Sequence, residues 1–287
     1  MFGGALVMKM KFTKMHGCGN DYVYVDCTKE MIDNPEKVSE IVSDRHFGIG
    51  SDGLILICPS DVADFRMAMY NADGSEGKMC GNGVRCIAKY VYDYGLTDKD
   101  KISIETKGGI KYLDLTIEDG KVSLVKVNMG APILKSADVP VKSDKDTFVD
   151  ETIEVDGKKY KVTCVSMGNP HAVTFIDDTA GLEIEKIGPE FEKHELFPDR
   201  INTEFVQVLN RKEVNMRVWE RGSGETLACG TGTCATVVAC VLNDKTDDEI
   251  TVHVLGGDII VKYDREENTV WMTGPAAVVF DGEITIP

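Results

Sequence analysis

The sequence has little basic charge to set against its acid: Lys and Arg number 32, Asp and Glu 48, for a formal net charge of −16. A phosphate backbone or an anionic membrane surface would be repelled by that balance, so neither nucleic acid nor membrane is expected as a partner. No run approaches the roughly 18 consecutive apolar residues that a membrane-spanning helix needs. The opening stretch, Met1 to Val7, lacks the basic region and the apolar core of a secretory signal, and a cytoplasmic location is expected. Cys-x-x-Cys occurs nowhere, although there are nine cysteines, at 18, 27, 58, 80, 86, 164, 229, 234 and 240. Without that spacing neither a zinc knuckle nor a dithiol redox motif is legible, even if His16, Cys18, Cys80 and Cys86 could be imagined as ligands. The cysteine count is odd in a chain too long to need staples. Free thiols in a reducing compartment are therefore expected, not a disulfide framework.

What is present is a globular chain of 287 residues, 43% hydrophobic and 28% charged, long enough for two ordinary domains. Its most informative feature is a duplication. Phe65-Arg-Met-Ala-Met-Tyr70 leads through a polar, Gly-containing loop to Cys80-Gly-Asn-Gly83, and Val214-Asn-Met-Arg-Val-Trp219 leads through a similar loop to Cys229-Gly-Thr-Gly232. The aromatic residue and the cysteine keep the same separation in both copies. Downstream, Lys101-Ile-Ser-Ile-Glu-Thr-Lys-Gly-Gly109 answers Glu249-Ile-Thr-Val-His-Val-Leu-Gly-Gly257.

Each cysteine precedes a helical pattern. Val84, Ile87, Ala88 and Val91 recur at i, i+3, i+4 and i+7, with Gly95 as a stop; Ala235, Val238, Ala239 and Leu242 repeat the spacing, ending near Asn243. The remainder is rich in strands, among them Tyr22–Val25, Leu54–Ile57, Ile110–Ile117 turning at Asp119-Gly120, and Ile153–Val155 turning at Asp156-Gly157. The predicted fold is α+β, with two pseudo-symmetric domains from the duplication, each a curved, mostly antiparallel sheet around one central helix. The first is expected over residues 8–129, joined by a returning C-terminal strand at 276–287, and the second over 130–275.

A cysteine at a helix start sits where unpaired N–H groups and partial positive charge gather, which lowers a thiol pKa. Gly81, Gly83, Gly230 and Gly232 let a ligand approach the backbone closely, so their amides can cradle a carboxylate. Two such units imply a base and an acid for one carboxylate-bearing carbon: one thiolate takes the α-proton and the other thiol returns a proton to the opposite face. Cys80 and Cys229 are the predicted pair. Cys27, Cys58, Cys86, Cys164, Cys234 and Cys240 are expected to be buried packing residues.

Four motifs, in order, make the chain similar to the diaminopimelate epimerase family: Met15-His-Gly-Cys-Gly-Asn-Asp21, Asn71-Ala-Asp-Gly-Ser-Glu76 leading to Cys80-Gly-Asn-Gly-Val-Arg85, Ser166-Met-Gly-Asn-Pro-His171, and Glu220-Arg-Gly-Ser-Gly-Glu-Thr226 leading to Cys229-Gly-Thr-Gly232. The resemblance implies interconversion of LL- and meso-diaminopimelate without pyridoxal phosphate, metal or other cofactor, in lysine and cell-wall precursor synthesis, commonly by a homodimer. It implies that Gly81, Asn82, Gly230 and Thr231 offer amides to the reacting carboxylate, and that Asn20 and Glu220 line the reacting end. It assigns the distal amino-acid end of a small diamino-dicarboxylate to Asn71, Asn169, Asn202 and Arg221, and tuning of the cysteines to His171 and Glu220. One departure stands out: some members carry Gln where this chain has Gly53, so a side-chain contact from that position is absent. A proline or hydroxyproline racemase, a non-catalytic amino-acid-binding protein, and a thiol-redox or zinc protein are the competing possibilities.

Overall fold

The computed structural model describes residues 8–286. The expected extension at Met1–Val7 lies outside them. The chain divides into two compact units, one running to Lys126 and resuming at Pro275, the other spanning Val127–Gly274.

The first unit contains β1 (Met8–Gly17), β2 (Asn20–Asp26), α1 (Pro35–Ser43), β3 (Gly53–Cys58), β4 (Phe65–Asn71), β5 (Glu76–Gly77), α2 (Gly81–Asp93), β6 (Lys101–Thr106) and β7 (Gly109–Glu118). Strand β8 (Lys121–Gly130) carries the chain onward. The second unit contains β9 (Glu151–Val155), β10 (Lys158–Ser166), β11 (Pro170–Phe175), α3 (Ile184–Glu192), β12 (Asn202–Asn210), β13 (Glu213–Glu220), β14 (Gly224–Thr226), α4 (Gly230–Leu242), β15 (Glu249–Val254), β16 (Gly257–Asp264) and β17 (Thr269–Gly274). Strand β18 (Ala277–Ile286) pairs antiparallel with β1.

The two units are built alike, strand for strand. In the first, β1 pairs antiparallel with β2, β2 parallel with β3, β3 antiparallel with β4, β4 antiparallel with β5 and parallel with β6, and β6 antiparallel with β7. In the second, β10 to β16 repeat that sequence of senses. Even the outer strand matches: β9 lies antiparallel on β10 as β18 does on β1. The fold is thus α+β, mostly antiparallel and internally duplicated.

Burial follows from helices covering both faces of the sheet. All six residues of β3 are buried. Leu54, Leu56 and Cys58 join Val38 and Val42 of α1 in one cluster, while a side chain at Gly83, in the first turn of α2, would meet Ile55 of β3. A strand buried on both faces reads as a continuous apolar run, which Gly53-Leu-Ile-Leu-Ile-Cys58 does. In the second unit Ile184 and Phe191 of α3 pack with Phe205 of β12, Cys164 and Ala172.

Helix α2 buries Val84, Ile87, Ala88 and Val91 completely. It stops where Gly95 takes φ 75° and the Leu96 amide returns to the Val91 carbonyl at 2.8 Å. Helix α4 departs from the expected stripe. It is buried on nearly every side from Gly230 to Cys240, because it packs against β10, β11, β12, β15, β16 and β17, whereas Leu242, its last residue, is exposed. Helices α1 and α3 add to the one central helix expected per unit. Each has only nine residues, and α3 carries Pro189 internally, so neither shows a sustained period in the sequence. The Asp-Gly turns form as their composition demands, with positive φ at Asp119 and Gly120 and at Asp156 and Gly157.

Candidate active site

In the first unit the hairpin β4–β5 delivers the chain to α2, and Cys80 becomes that helix's N-cap, extended at φ −128° and ψ 118°. Its Sγ accepts the Gly83 amide at 3.3 Å and donates to Asn20 Oδ1 at 3.3 Å. Asn82 Nδ2 donates to the same oxygen at 3.3 Å. Gly81 and Asn82 form the first turn, where backbone N–H groups have no partner within the helix. The structure thus brings Asn20, Cys80, Gly81 and Asn82 together. Asn71 is occupied differently: it closes its own turn, donating from Nδ2 to Ser75 Oγ at 2.9 Å.

Asn20 is held by a residue that sequence reasoning passed over. Its Nδ2 donates to Asp52 Oδ2 at 2.8 Å, and the Asp21 amide donates to the same oxygen at 3.2 Å. Asp52 also pairs with Arg45, itself paired with Asp21. Burial and the Asp21 charge push the Asp52 carboxyl above its ordinary range. The Tyr22 hydroxyl nearby is pushed well up by burial, Cys80 and Asp52. The signal for Asp52 is its place beside the glycine in Gly48-Ile-Gly-Ser-Asp52-Gly53. At Gly53 a Cβ would lie 2.1 Å from the Tyr70 carbonyl oxygen, so this backbone admits no side chain there.

In the second unit Cys229 caps α4 in the same way, at φ −115° and ψ 110°. Its Sγ accepts the Gly232 amide at 3.4 Å and lies 3.5 Å from Thr231 Oγ1. Gly230 opens the helix and is buried. Glu220, at the end of β13, accepts from Thr226 Oγ1 at 2.6 Å; burial raises its carboxyl, against the pull of that bond and one from Cys229. Next to it Arg221 donates its amide to Asn202 Oδ1 at 2.9 Å and its Nη1 to the Asp199 carbonyl at 3.0 Å. Asn202 is buried at the start of β12, opposite His171 on the parallel strand β11.

The expected lowering of the thiol pKa fails at Cys229. Burial pushes it well above its ordinary value, and the carboxylates of Glu220 and Glu204 push it further, outweighing the Thr231 and Gly232 hydrogen bonds. A helix start cannot hold a thiolate cheaply when two carboxylates share its neighbourhood.

Glu204 is the second residue missed. Fully buried on β12, its Oε1 lies 2.7 Å from His171 Nδ1, and the other ring nitrogen of His171 lies 3.1 Å from Asn169 Oδ1. His171 and Asn169 are thereby joined to a carboxylate that no sequence motif announced. Among the described residues no group of three or more His, Cys, Asp or Glu side chains could hold a metal ion, and no helix is long and apolar enough to cross a membrane. None of the nine cysteines is joined in a disulfide.

Solved structures share this architecture at low sequence identity. A Bacillus anthracis phenazine biosynthesis protein of the PhzF family superposes with TM-score 0.68 at 16% identity, covering 97% of this chain and 100% of that one. A hydroxyproline epimerase from Agrobacterium vitis gives TM-score 0.68 at 12% identity, over 96% and 91% of the two chains. These set the class of fold, a duplicated α+β architecture. Sequence goes further. The diaminopimelate epimerase family model matches residues 12–135 and 163–279. The diaminopimelate epimerase of Agathobacter rectalis is 63% identical over 284 residues, covering 96% of this chain and all of that one. That of Methanococcus maripaludis is 58% identical over 277 residues, again 96% of this chain and all of the relative. The chain belongs to the diaminopimelate epimerase family. It is an isomerase, a cofactor-independent epimerase of that family.

Proposed function

We propose that this protein interconverts LL- and meso-diaminopimelate, with Cys80 and Cys229 as the two bases. The observation that carries the proposal is the matched pair of helix caps: each thiol sits beside a glycine-led first turn and accepts the amide three residues on, at 3.3 and 3.4 Å. One cysteine, as thiolate, takes the α-proton and becomes a thiol. The electron pair of the broken C–H bond spreads into the carboxylate, which the amides of Gly81 and Asn82 and of Gly230 and Thr231 stabilise. The other thiol gives its proton to the opposite face of the carbon and is left as thiolate, so each turnover exchanges the roles.

Asn20 and Glu220 serve the reacting end, Glu220 meeting the ammonium. Asn71, Asn169, Asn202 and Arg221 hold the distal end, where Arg221 suits a second carboxylate, and His171 tunes the site. The functional halves are residues 8–129 with 276–287, and 130–275. The protein acts as a homodimer in the reducing cytoplasm, where cysteines without disulfides persist. The distinguishing experiment incubates LL-diaminopimelate and L-proline separately in deuterium oxide. Deuterium at one α-carbon of diaminopimelate, inert proline, and loss of both exchange and inversion in Cys80→Ala and Cys229→Ala are expected. Exchange into proline alone would overturn the substrate.

A further inference from the structure

The His171 ring stands between two oxygens, Glu204 Oε1 at 2.7 Å on Nδ1 and Asn169 Oδ1 at 3.1 Å on Nε2. An oxygen of a carboxylate or of an amide carbonyl only accepts, so both nitrogens must carry protons for both contacts to be hydrogen bonds. Glu204 is placed to hold the ring in that state. It is fully buried, and Oε1 lies where α4 begins: a Cβ on Gly232 would come within 2.6 Å of it. The positive end of α4 favours a carboxylate there. The other titratable groups around the pair are Glu220 on β13, Cys229 at the head of α4 and Cys164 on β10. Cys164 is kept protonated by burial, its pKa raised further by the Glu204 charge, and among the described residues the His171 ring is the basic group in contact with Glu204.

We propose that Glu204 is a positioning residue that acts through His171 on Asn169: the buried carboxylate keeps the ring doubly protonated, the ring holds the Asn169 carbonyl, and the Asn169 NH2 group is left to read a ligand carboxylate. With a singly protonated ring the bare Nε2 would need a donor. Asn169 would then turn its NH2 inward and present its carbonyl oxygen, which repels a carboxylate and accepts an ammonium. Glu204 therefore sets which charge Asn169 recognises. The sequence hides this because Glu204 is a single acidic residue in an otherwise apolar and polar strand, Asn202-Thr-Glu-Phe-Val-Gln-Val.

The inference rests on the diaminopimelate proposal for the ligand, but its first test needs no substrate. Nitrogen-15 spectra of histidine-labelled protein, assigned through His171→Asn, should show both ring nitrogens of His171 protonated at neutral pH, as the two acceptor contacts require. In Glu204→Gln, which keeps the shape and one acceptor, one of the two ring protons should be lost. In kinetics, Glu204→Gln should raise KM for diaminopimelate by about tenfold, as expected for a lost hydrogen bond to a charged group. A singly protonated His171 in the unaltered protein at neutral pH overturns the inference, whatever the substrate proves to be. So does a Glu204→Gln protein that keeps its KM. If diaminopimelate is inert altogether, the proposed function fails while the spectra still decide the protonation state.

Discussion

Asn20 donates its side-chain amide to Asp52 at 2.8 Å, and that bond turns its carbonyl oxygen toward the Cys80 thiol. The orientation of an asparagine is otherwise free by a half-turn. Asp52→Ala removes the acceptor that fixes it, and the amide can then rotate its NH2 toward the sulfur. We expect kcat/KM to fall by roughly tenfold, the order of one charge-assisted hydrogen bond, with Tm little changed, because Asp52 lies at the partly exposed edge of the site beside Arg45. Steady-state kinetics and a thermal melt check both parts. An unchanged kcat/KM would mean that Asp52 does not orient Asn20.

The two thiols are caps as well as chemical groups, and the two functions separate on substitution. Serine is a preferred N-cap whose oxygen can accept the amides that Cys80 and Cys229 now accept from Gly83 and Gly232. Cys80→Ser and Cys229→Ser should therefore fold with unchanged Tm. A hydroxyl is far less acidic than a thiol, so inversion should drop by at least about a thousandfold in either. Alanine at either position should also cost about 1 kcal/mol of stability through the lost cap. Circular dichroism melts alongside inversion assays distinguish the two effects.

The duplication was legible because its signal is local: a cysteine, two glycines and a stripe of apolar residues at fixed spacing specify a strand, a turn and a capped helix. The strand order in each unit followed from that repetition once the fold was seen. Helices α1 and α3 were not legible, since nine residues with four buried positions, only two of them large and apolar, cannot be told from a loop by period. The partners of the site residues were hidden for another reason. Asp52, just before β3, and Glu204, on β12, reach Asn20 and His171 on the neighbouring strands, 32 and 33 positions away in sequence. Nothing in a sequence pattern reports which side chains a parallel pairing such as β11 on β12 will place side by side. The expected acidity of Cys229 failed for a related reason: its helix start was visible and the family resemblance assigns Glu220 to tuning, but the burial of the thiol and the second carboxylate, Glu204, were not visible.

The raised Cys229 pKa has a direct chemical readout. The folded protein binds the thiol proton more tightly than a free cysteine does, so thiolate is scarce at neutral pH and is still the minor form at the ordinary thiol value of 9.0. Alkylation by iodoacetamide, followed at Cys229 by peptide mass spectrometry, should be slow at neutral pH and should climb steadily with pH, without levelling off as it passes that value. Glu220→Gln removes the larger of the two carboxylate contributions. It should lower the thiol pKa and speed alkylation at pH 8. Faster labelling of the unaltered protein than of a small-molecule thiol would show that the helix start outweighs burial.

Gly232 tests how tightly the second unit's site is packed. A Cβ there would fall 2.6 Å from Glu204 Oε1 and 3.3 Å from Cys229 Sγ, and neither can withdraw: Glu204 is fully buried against His171, and Cys229 is fixed as the cap of α4. Gly232→Ala removes the flexibility of a helix glycine, which on its own would stabilise by up to about 1 kcal/mol. Overpacking costs about 1 to 3 kcal/mol and should win, because the clash is with a carboxylate that has no room to move. A net loss of stability is expected in urea unfolding, together with a shift of the His171 ring signals as Glu204 is displaced. The mirror position gives the control. At Gly83 the same methyl meets the terminal carbons of Ile55 and Met67 at 2.7 and 2.9 Å, flexible ends that can turn aside. Gly83→Ala should therefore cost less than Gly232→Ala, although both glycines occupy the same place in the same motif. Equal losses would mean that the cost lies in the cap itself and not in the buried carboxylate beside it.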